Sequence, residues 1–351
     1  MSQRKIAVVL FNLGGPDSLA AVRPFLFNLF SDRRIIAAPA PVRQFIAALI
    51  STTRTRLAQG NYALIGGRSP IVPETEAQAE ALQRGLPDTE ATAFKVFIAM
   101  RYWKPFAART AAEVRAWGAD EAVLLPLYPQ FSTTTTASAE EAWRKAFNGP
   151  TRTVCCYPAN TQLVRAHADA IESAWRKAGS PANPRVLFSA HGLPQHVVDA
   201  GDPYQWQVER SAAAVSALLP SPWEKSLCYQ SRVGPLKWLQ PSTEEALIEA
   251  SNDKRGVIVC PIAFVSEHVE TLVELDIEYG EKARELALPF YIRAPALGAS
   301  DVFIDGLAAL VRKALLRDCG VFSETGGRLC PERFGACPMK SATVTAEKEA
   351  A

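Results

Sequence analysis

Short apolar runs rich in β-branched residues alternate along the chain with longer stretches whose apolar positions recur every three or four residues. A strand buried on both faces of a parallel sheet reads as such an unbroken run, and the helix that covers it carries a single apolar stripe, so the alternation predicts βα units. Eight runs qualify as strands. Four lie over Ile6 to Asn12, Phe94 to Met100, Ala122 to Leu127 and Thr151 to Tyr157; four more lie over Arg185 to Ala190, Lys225 to Gln230, Gly256 to Phe264 and Pro289 to Ala294. The pattern predicts an α/β chain of two similar Rossmann-like domains, each with a four-stranded parallel sheet flanked by helices. Residues 1–158 are expected to form the first lobe and 159–299 the second, with an amphipathic helix over 300–317 joining the first. Residues 318–339 make a cysteine-containing extension, and 340–351 are too poor in apolar groups to fold, which predicts a disordered tail. Val42 to Ile50 is expected to be helical, and Ser51 to Asn61, with Arg54, Arg56 and Gly60, to be a loop; the two read equally as a rim beside a cleft or as a packed helix with a surface loop.

Polar residues and glycines collect where the strand runs end: Asn12 to Pro16, Arg101 and Tyr102, Tyr128 to Gln130, Ser189 to Gly192, Gln230 to Arg232, and Pro261 to Phe264. Open parallel sheets bind ligands at the carboxyl ends of their strands, so these six clusters are expected to face one cleft. The common occupants of such clefts are disfavoured by what is missing. No Gly-x-Gly-x-x-Gly follows the first run and no Gly-x-x-x-x-Gly-Lys-Ser/Thr occurs, so dinucleotide and nucleotide lack their phosphate cradles.

The 351 residues are 48% hydrophobic and 21% charged, which is globular composition. With 38 Lys and Arg against 36 Asp and Glu, no basic stripe stands out, and nucleic acid is not an expected partner. Arg4 and Lys5 precede the apolar Ile6 to Phe11 in the manner of a signal peptide, but Asn12, Gly14, Gly15 and Pro16 follow without a cleavage site. No run approaches the roughly 18 apolar residues of a membrane span. A soluble, cytoplasmic protein is the expectation. Seven cysteines, an odd number without secretory context, predict thiols or metal ligands over a disulfide framework.

Two features carry chemistry. At 100° per residue, Glu267, Glu270, Glu274 and Glu278 share one face of a helix over Ser266 to Tyr279, with Val265, Val269, Leu272, Leu275 and Tyr279 opposite. Such a stripe is either a solvated face or a path for a cation or protons; starting directly after a strand, its first turn, with His268 and Glu270, is expected at the cleft. His191 also follows a strand, between Ser189 and Pro194, and an imidazole there can accept and pass on a proton at neutral pH. Tyr128 to Thr136 and Tyr229 to Pro235 add hydroxyls, amides and Arg232 at strand ends, and Trp238 offers a flat apolar wall.

Seven of these stretches together resemble the ferrochelatases: Leu10 to Pro16, Ile65 to Pro70, Met100 to Tyr102, Tyr128 to Gln130, Ser189 to Pro194, Tyr229 to Trp238 and Pro261 to Glu274. The resemblance runs from the first strand to about residue 300. It implies a chelatase-like fold and insertion of ferrous iron into protoporphyrin IX, the last step of heme synthesis, with coproporphyrin or another divalent metal as the near variant. A non-catalytic porphyrin or heme carrier is the alternative of another class, and it predicts loss of residues that are present here. Residue by residue, the resemblance implies that His191 faces the macrocycle as the catalytic base with Glu270 opposite it. It groups His268, Glu274 and Phe264 on the same wall as iron- or ring-contacting groups, lines the pocket with Arg101, Tyr102, Tyr128 and Trp238, and sets Leu13 against the ring and Ser69 at a propionate.

Some ferrochelatases also hold a [2Fe-2S] cluster through three C-terminal cysteines and one internal one. That likeness implies Cys319, Cys330 and Cys337 with Cys156, or alternatively Cys155, because Thr133 stands where the animal-type internal ligand would be. Iron as substrate, a porphyrin partner, peripheral contact with a membrane near Phe45 to Ile50 and a homodimer complete the expectations.

Overall fold

The computed structural model describes residues 3–232 and 234–339; the segment 340–351, expected to be a disordered tail, lies outside the described residues. Among the described residues nine strands form two parallel sheets: β1 Arg4–Asn12, β2 Thr92–Met100, β3 Glu121–Pro126, β4 Thr151–Cys156, β5 Pro184–His191, β6 Glu224–Gln230, β7 Gly256–Pro261, β8 Tyr291–Arg293 and β9 Gly320–Ser323. The first sheet has the order β2-β1-β3-β4-β9 and the second β6-β5-β7-β8. All eight expected strands are present, although the seventh ends at Pro261 and the eighth shrinks to three residues.

The first sheet has five strands where four were expected. The start of the cysteine-containing extension returns as β9 and pairs with β4, Arg152 opposite Gly320 through Cys156 opposite Ser323. A parallel sheet that ended at β4 would leave that strand's backbone donors and acceptors unpaired on one side, and β9 satisfies them.

Both faces of each sheet are covered, which is why the strand runs showed no alternation. Along β1, Ile6, Val8 and Leu10 pack beneath Phe303, Ile304 and Leu307 of the helix Asp301–Leu315. The intervening Ala7, Val9 and Phe11 pack on the other face with Val114 and Trp143. Each fully buried aliphatic side chain contributes about 1.5–3 kcal/mol, so this strand anchors the first lobe. Along β5, Val186 and Phe188 likewise face one cluster and Leu187 the other.

Buried hydrogen bonds fasten the two lobes. Gln78 Nε2 donates to the carbonyls of Val265 (2.8 Å) and Gly298 (3.0 Å), and Gln130 Nε2 donates to Ser211 Oγ (2.8 Å). Asn12 Nδ2, at the end of β1, donates to Thr75 Oγ1 at 2.9 Å and lies 3.4 Å from Ser266 Oγ beyond β7. These bonds fix the strand ends of both sheets around one cleft.

Residues 51–61 are not a loop. A single helix runs from Ala40 to Leu64, and it projects so far from the core that only Ala47, Ser51 and Tyr62 are buried. Thr52 and Thr53 each donate a hydroxyl hydrogen bond to a carbonyl four residues earlier.

Candidate active site

The ends of β5, β6 and β7 present His191, Gln230 and the chain leading to Glu270. Gly192 is required where β5 ends, because a Cβ there would stand 2.9 Å from the Gln230 carbonyl oxygen. Residues Glu270–Glu278 wind as a π-helix, a form with i→i+5 bonding that recurs at functional sites, rather than the expected α-helix.

His191 Nδ1 lies 2.8 Å from Glu270 Oε2. Burial alone would push the Glu270 carboxyl up, but the imidazoles of His191 and His268 outweigh it and hold the group well below the usual carboxylate range. An ionised carboxylate only accepts, so Nδ1 carries the proton and the neutral ring keeps its lone pair on Nε2. Burial works against the charged form of His191, while the charge and hydrogen bond of Glu270, with Glu274 beyond, prevail and raise its pKa. The expected opposition of these two residues is therefore corrected: they share one wall as a bonded pair, and no disc fits between atoms 2.8 Å apart.

His268 Nε2 stands 3.6 Å from the same Glu270 oxygen, and its ring packs against Phe264 at a centroid distance of 4.7 Å. Glu274 accepts from Gln230 Nε2 (3.0 Å), the Ser231 backbone N–H (2.7 Å) and the Ser231 hydroxyl. Burial and the neighbouring Glu270 charge raise its pKa despite those bonds. The acidic stripe is shorter than expected. Glu267 turns away to accept from Arg293 Nη1 (2.8 Å) and the Ala296 N–H (2.9 Å), while Glu278 is exposed. Among the described residues no group of three or more His, Cys, Asp or Glu is arranged to hold a metal ion.

Glu270, Val269 and His268 form one side of a cleft of about 840 Å³, open in part to solvent. Facing them are Leu13, Gly14, Phe25, Leu26 and Leu29, with Arg54, Leu57, Ala58, Asn61 and Tyr62 from the long helix and Ser69 and Ile71 after it. Leu13 and Ser69 are both among the cleft's lining residues. Arg101 and Tyr102 do not line this cavity: Arg101 Nη2 and the Tyr102 hydroxyl both donate to Asp32 Oδ2 at 2.8 Å, and Tyr102 is 1% exposed. Tyr128 and Trp238 are also not among its lining residues, yet among the described residues the Tyr128 hydroxyl and Trp238 Nε1 are buried without a partner.

Sequence reasoning did not single out Asn61, Tyr62, Leu57 or Asp32, and it left Arg54 in a loop without a role. The i, i+4, i+7, i+8 spacing of Arg54, Ala58, Asn61 and Tyr62 is the helical signal that could have found most of them.

The thiols separate into groups. Cys319 is exposed and precedes Gly320, whose partner is Arg152 at the start of β4, whereas Cys156 ends that strand. Four residues of strand span roughly 13 Å, so Cys319 cannot share a small cluster with Cys156. Thr133 is also elsewhere engaged, its N–H and hydroxyl both donating to Asp202 at 2.7 Å. Cys228 and Cys260 are buried in the second sheet, which leaves two pairs: Cys155 and Cys156 have sulfurs 3.6 Å apart, and Cys330 and Cys337 shift each other's pKa as neighbours, Cys330 upward and Cys337 downward.

The fold is that of the chelatases. SirB from Bacillus subtilis with Fe3+ superposes with a TM-score of 0.52 at 13% identity, covering 89% of this chain and 96% of that one. The sirohydrochlorin chelatase SirB from Bacillus subtilis subspecies spizizenii, in complex with cobalt, gives 0.51 at 9% identity over 89% and 95%. Sequence then narrows the class. The chain belongs to the ferrochelatase family, whose model matches residues 5–315. The ferrochelatase of Phenylobacterium zucineum strain HLK1 is 57% identical over 343 residues, covering 96% of this chain and 98% of that one, and that of Rickettsia bellii strain OSU 85-389 is 47% identical over 344 residues, covering 96% of each. Its activity is the insertion of iron into a tetrapyrrole.

Proposed function

We propose that the tetrapyrrole is protoporphyrin IX, that His191 is the base that removes its pyrrole protons, and that the product is protoheme, the end of heme synthesis. Insertion exchanges two N–H protons for one ferrous ion and requires the ring to bend and the iron to shed water. The observation that carries the reading is the His191–Glu270 pair: with Nδ1–H bound by a carboxylate at 2.8 Å, Nε2 is a strengthened proton acceptor. The ring lies against this wall, with Leu13 and the helix Ala40–Leu64 on its other side, and a cleft rigid enough to favour the bent form lowers the barrier by differential binding. The lining favours protoporphyrin over its four-carboxylate relative coproporphyrin: Leu13, Phe25, Leu26, Leu29, Leu57 and Ile71 are apolar, leaving Arg54, Asn61 and Ser69 for two propionates. Ferrous iron is the second substrate. Imidazole and carboxylate hold it without the grip of thiolates, so His268, Glu270 and Glu274 hand it on, Glu274 and Glu278 leading toward solvent. Phe264, Tyr128 and Trp238 support the ring's surroundings, and Arg101 and Tyr102 act from behind the cleft wall through Asp32.

The test is anaerobic assay of the purified protein with ferrous iron and either protoporphyrin IX or coproporphyrin III, beside His191→Ala. Loss of about 10²–10⁴-fold in the variant is expected for a general base. A variant that runs at the wild-type rate removes His191 from the chemistry, and a preference for coproporphyrin overturns the substrate.

Two finer readings accompany it. Among the described residues no helix is long and apolar enough to cross a membrane. A cytoplasmic enzyme touching a bilayer surface accords with the helix Ala40–Leu64, where Val42, Phe45, Leu49, Leu57 and Leu64 are exposed. Between Arg33 and Pro73 there are six arginines and no acid, a charge that suits anionic lipid. The [2Fe-2S] cluster implied by the likeness to other ferrochelatases fits Cys155, Cys156, Cys330 and Cys337, and not Cys319. A binuclear cluster needs thiolates in two pairs, and two sulfurs on one tetrahedral metal at about 2.3 Å stand about 3.8 Å apart, near the 3.6 Å of Cys155 and Cys156.

A further inference from the structure

Cys330 is 4% exposed, and its sulfur accepts a hydrogen bond from Gln207 Nε2 at 3.1 Å. Gln207 itself is fully buried, and its amide cannot be flipped. Oε1 accepts from the Phe131 backbone N–H at 2.8 Å, so the NH2 end must face the sulfur. The donor is therefore fixed on that sulfur by geometry alone, and of the forms the sulfur can take, a metal-bound thiolate is the strongest acceptor for it in a dry setting. Phe131 packs against Cys155 and Cys156 as well, so one peptide unit beside the first thiol pair orients the donor to the second.

We propose that Gln207 is a positioning residue for a thiolate-bound iron–sulfur cluster, donating the hydrogen bond to the Cys330 sulfur that sets the cluster's reduction potential. The inference rests on the four-thiol reading above. An N–H···S bond draws charge from the sulfur and favours the more negative, reduced cluster, so its removal lowers the potential. It also makes the thiolate a better donor to iron, which moves the sulfur-to-iron charge-transfer bands to longer wavelength. Because Oε1 is tied to Phe131, Gln207→Glu keeps the shape and the Phe131 bond but presents an acceptor to the sulfur, whereas Gln207→Leu removes both bonds.

The experiment uses the full chain, purified anaerobically and reconstituted with ferrous iron and sulfide, with potentiometric titration followed in the visible. Gln207→Leu is expected to hold a cluster of more negative potential with red-shifted bands, and Gln207→Glu to hold it less stably still. Because either variant can misfold, the wild type also carries the test: with glutamine labelled by 15N, pulsed EPR of the reduced cluster is expected to show a 15N coupling. A wild-type cluster without that coupling, or with a potential unmoved in a folded Gln207→Leu protein, overturns the role of Gln207 and leaves the four-thiol reading standing. A wild type that shows no charge-transfer bands after reconstitution overturns both.

Discussion

His167 should make the protein lose stability in mild acid by an amount the structure fixes. The ring lies inside the helix Thr161–Lys177 at 1% exposure; Nδ1 has only the Cys260 sulfur at 3.6 Å, and Nε2 has no partner among the described residues. Burial with no compensating charge pushes its pKa down from 6.5 to about 3. The imidazole is therefore neutral in the folded chain down to about pH 3, while the unfolded chain takes up a proton below about pH 6.5. Since the unfolded state binds more protons in that window, stability falls as pH falls through it. At pH 7.5 the term is close to zero, and at pH 5 it amounts to about 2 kcal/mol. His167→Leu abolishes it. Whatever the substitution changes in packing is independent of pH and drops out when the gap between variant and wild type is compared at the two values. Urea unfolding followed by tryptophan fluorescence is the assay, because Trp175 on the same helix meets Trp223 at 4.9 Å between ring centroids and reports on this region. The variant should gain about 2 kcal/mol on the wild type between pH 7.5 and pH 5. An unchanged gap would mean that the ring is solvated or charged in the folded state, and the reasoning fails.

Glu270→Gln removes the charge that raises His191, so the acid limb of the pH profile of kcat/KM should move to lower pH while the maximum rate falls; a limb that stays in place separates the two residues. Phe45→Glu with Leu49→Glu puts two charges on the exposed apolar face of the long helix, and sedimentation with anionic phosphatidylglycerol vesicles should drop at least tenfold at unchanged activity toward detergent-solubilised porphyrin. Equal sedimentation of wild type and variant removes that face from membrane contact.

What could be read from the chain was whatever depends on burial along a single element. β1 was legible because Ile6 to Phe11 is buried on both faces, and His191 because a strand's end in a parallel sheet is a place with known consequences. β9 was not legible. Gly320 to Ser323 is four residues long, and the reason it is a strand is the open edge of β4, 168 residues earlier at Arg152 opposite Gly320. The second half of the long helix escaped because Ser51 to Arg56 has no apolar period: one side lines a cleft and another meets solvent, and the one residue of that stretch buried in protein, Ser51, is polar.

The relation between His191 and Glu270 is the most consequential of these gaps. Two residues 79 apart in sequence can be assigned to one cleft from the strand ends they follow, but whether they oppose or touch depends on the turn that Val265 to Val269 makes before the π-helix. Touching changes the chemistry. Opposed across a ring, an imidazole and a carboxylate would serve as separate proton acceptors on two faces, each with its own pKa. Bonded on one wall they would act as a single base whose strength is set by the pair, and the cleft that Glu270 lines has apolar Leu13 and Tyr62 of the long helix among its other walls. Tyr62 cannot take the second role: burial, with the Glu270 charge, pushes its hydroxyl pKa well above 10. On the proposed reading proton removal proceeds from the His191 side, and Glu274, held up in pKa beside Glu270, is the next group able to take a proton from there.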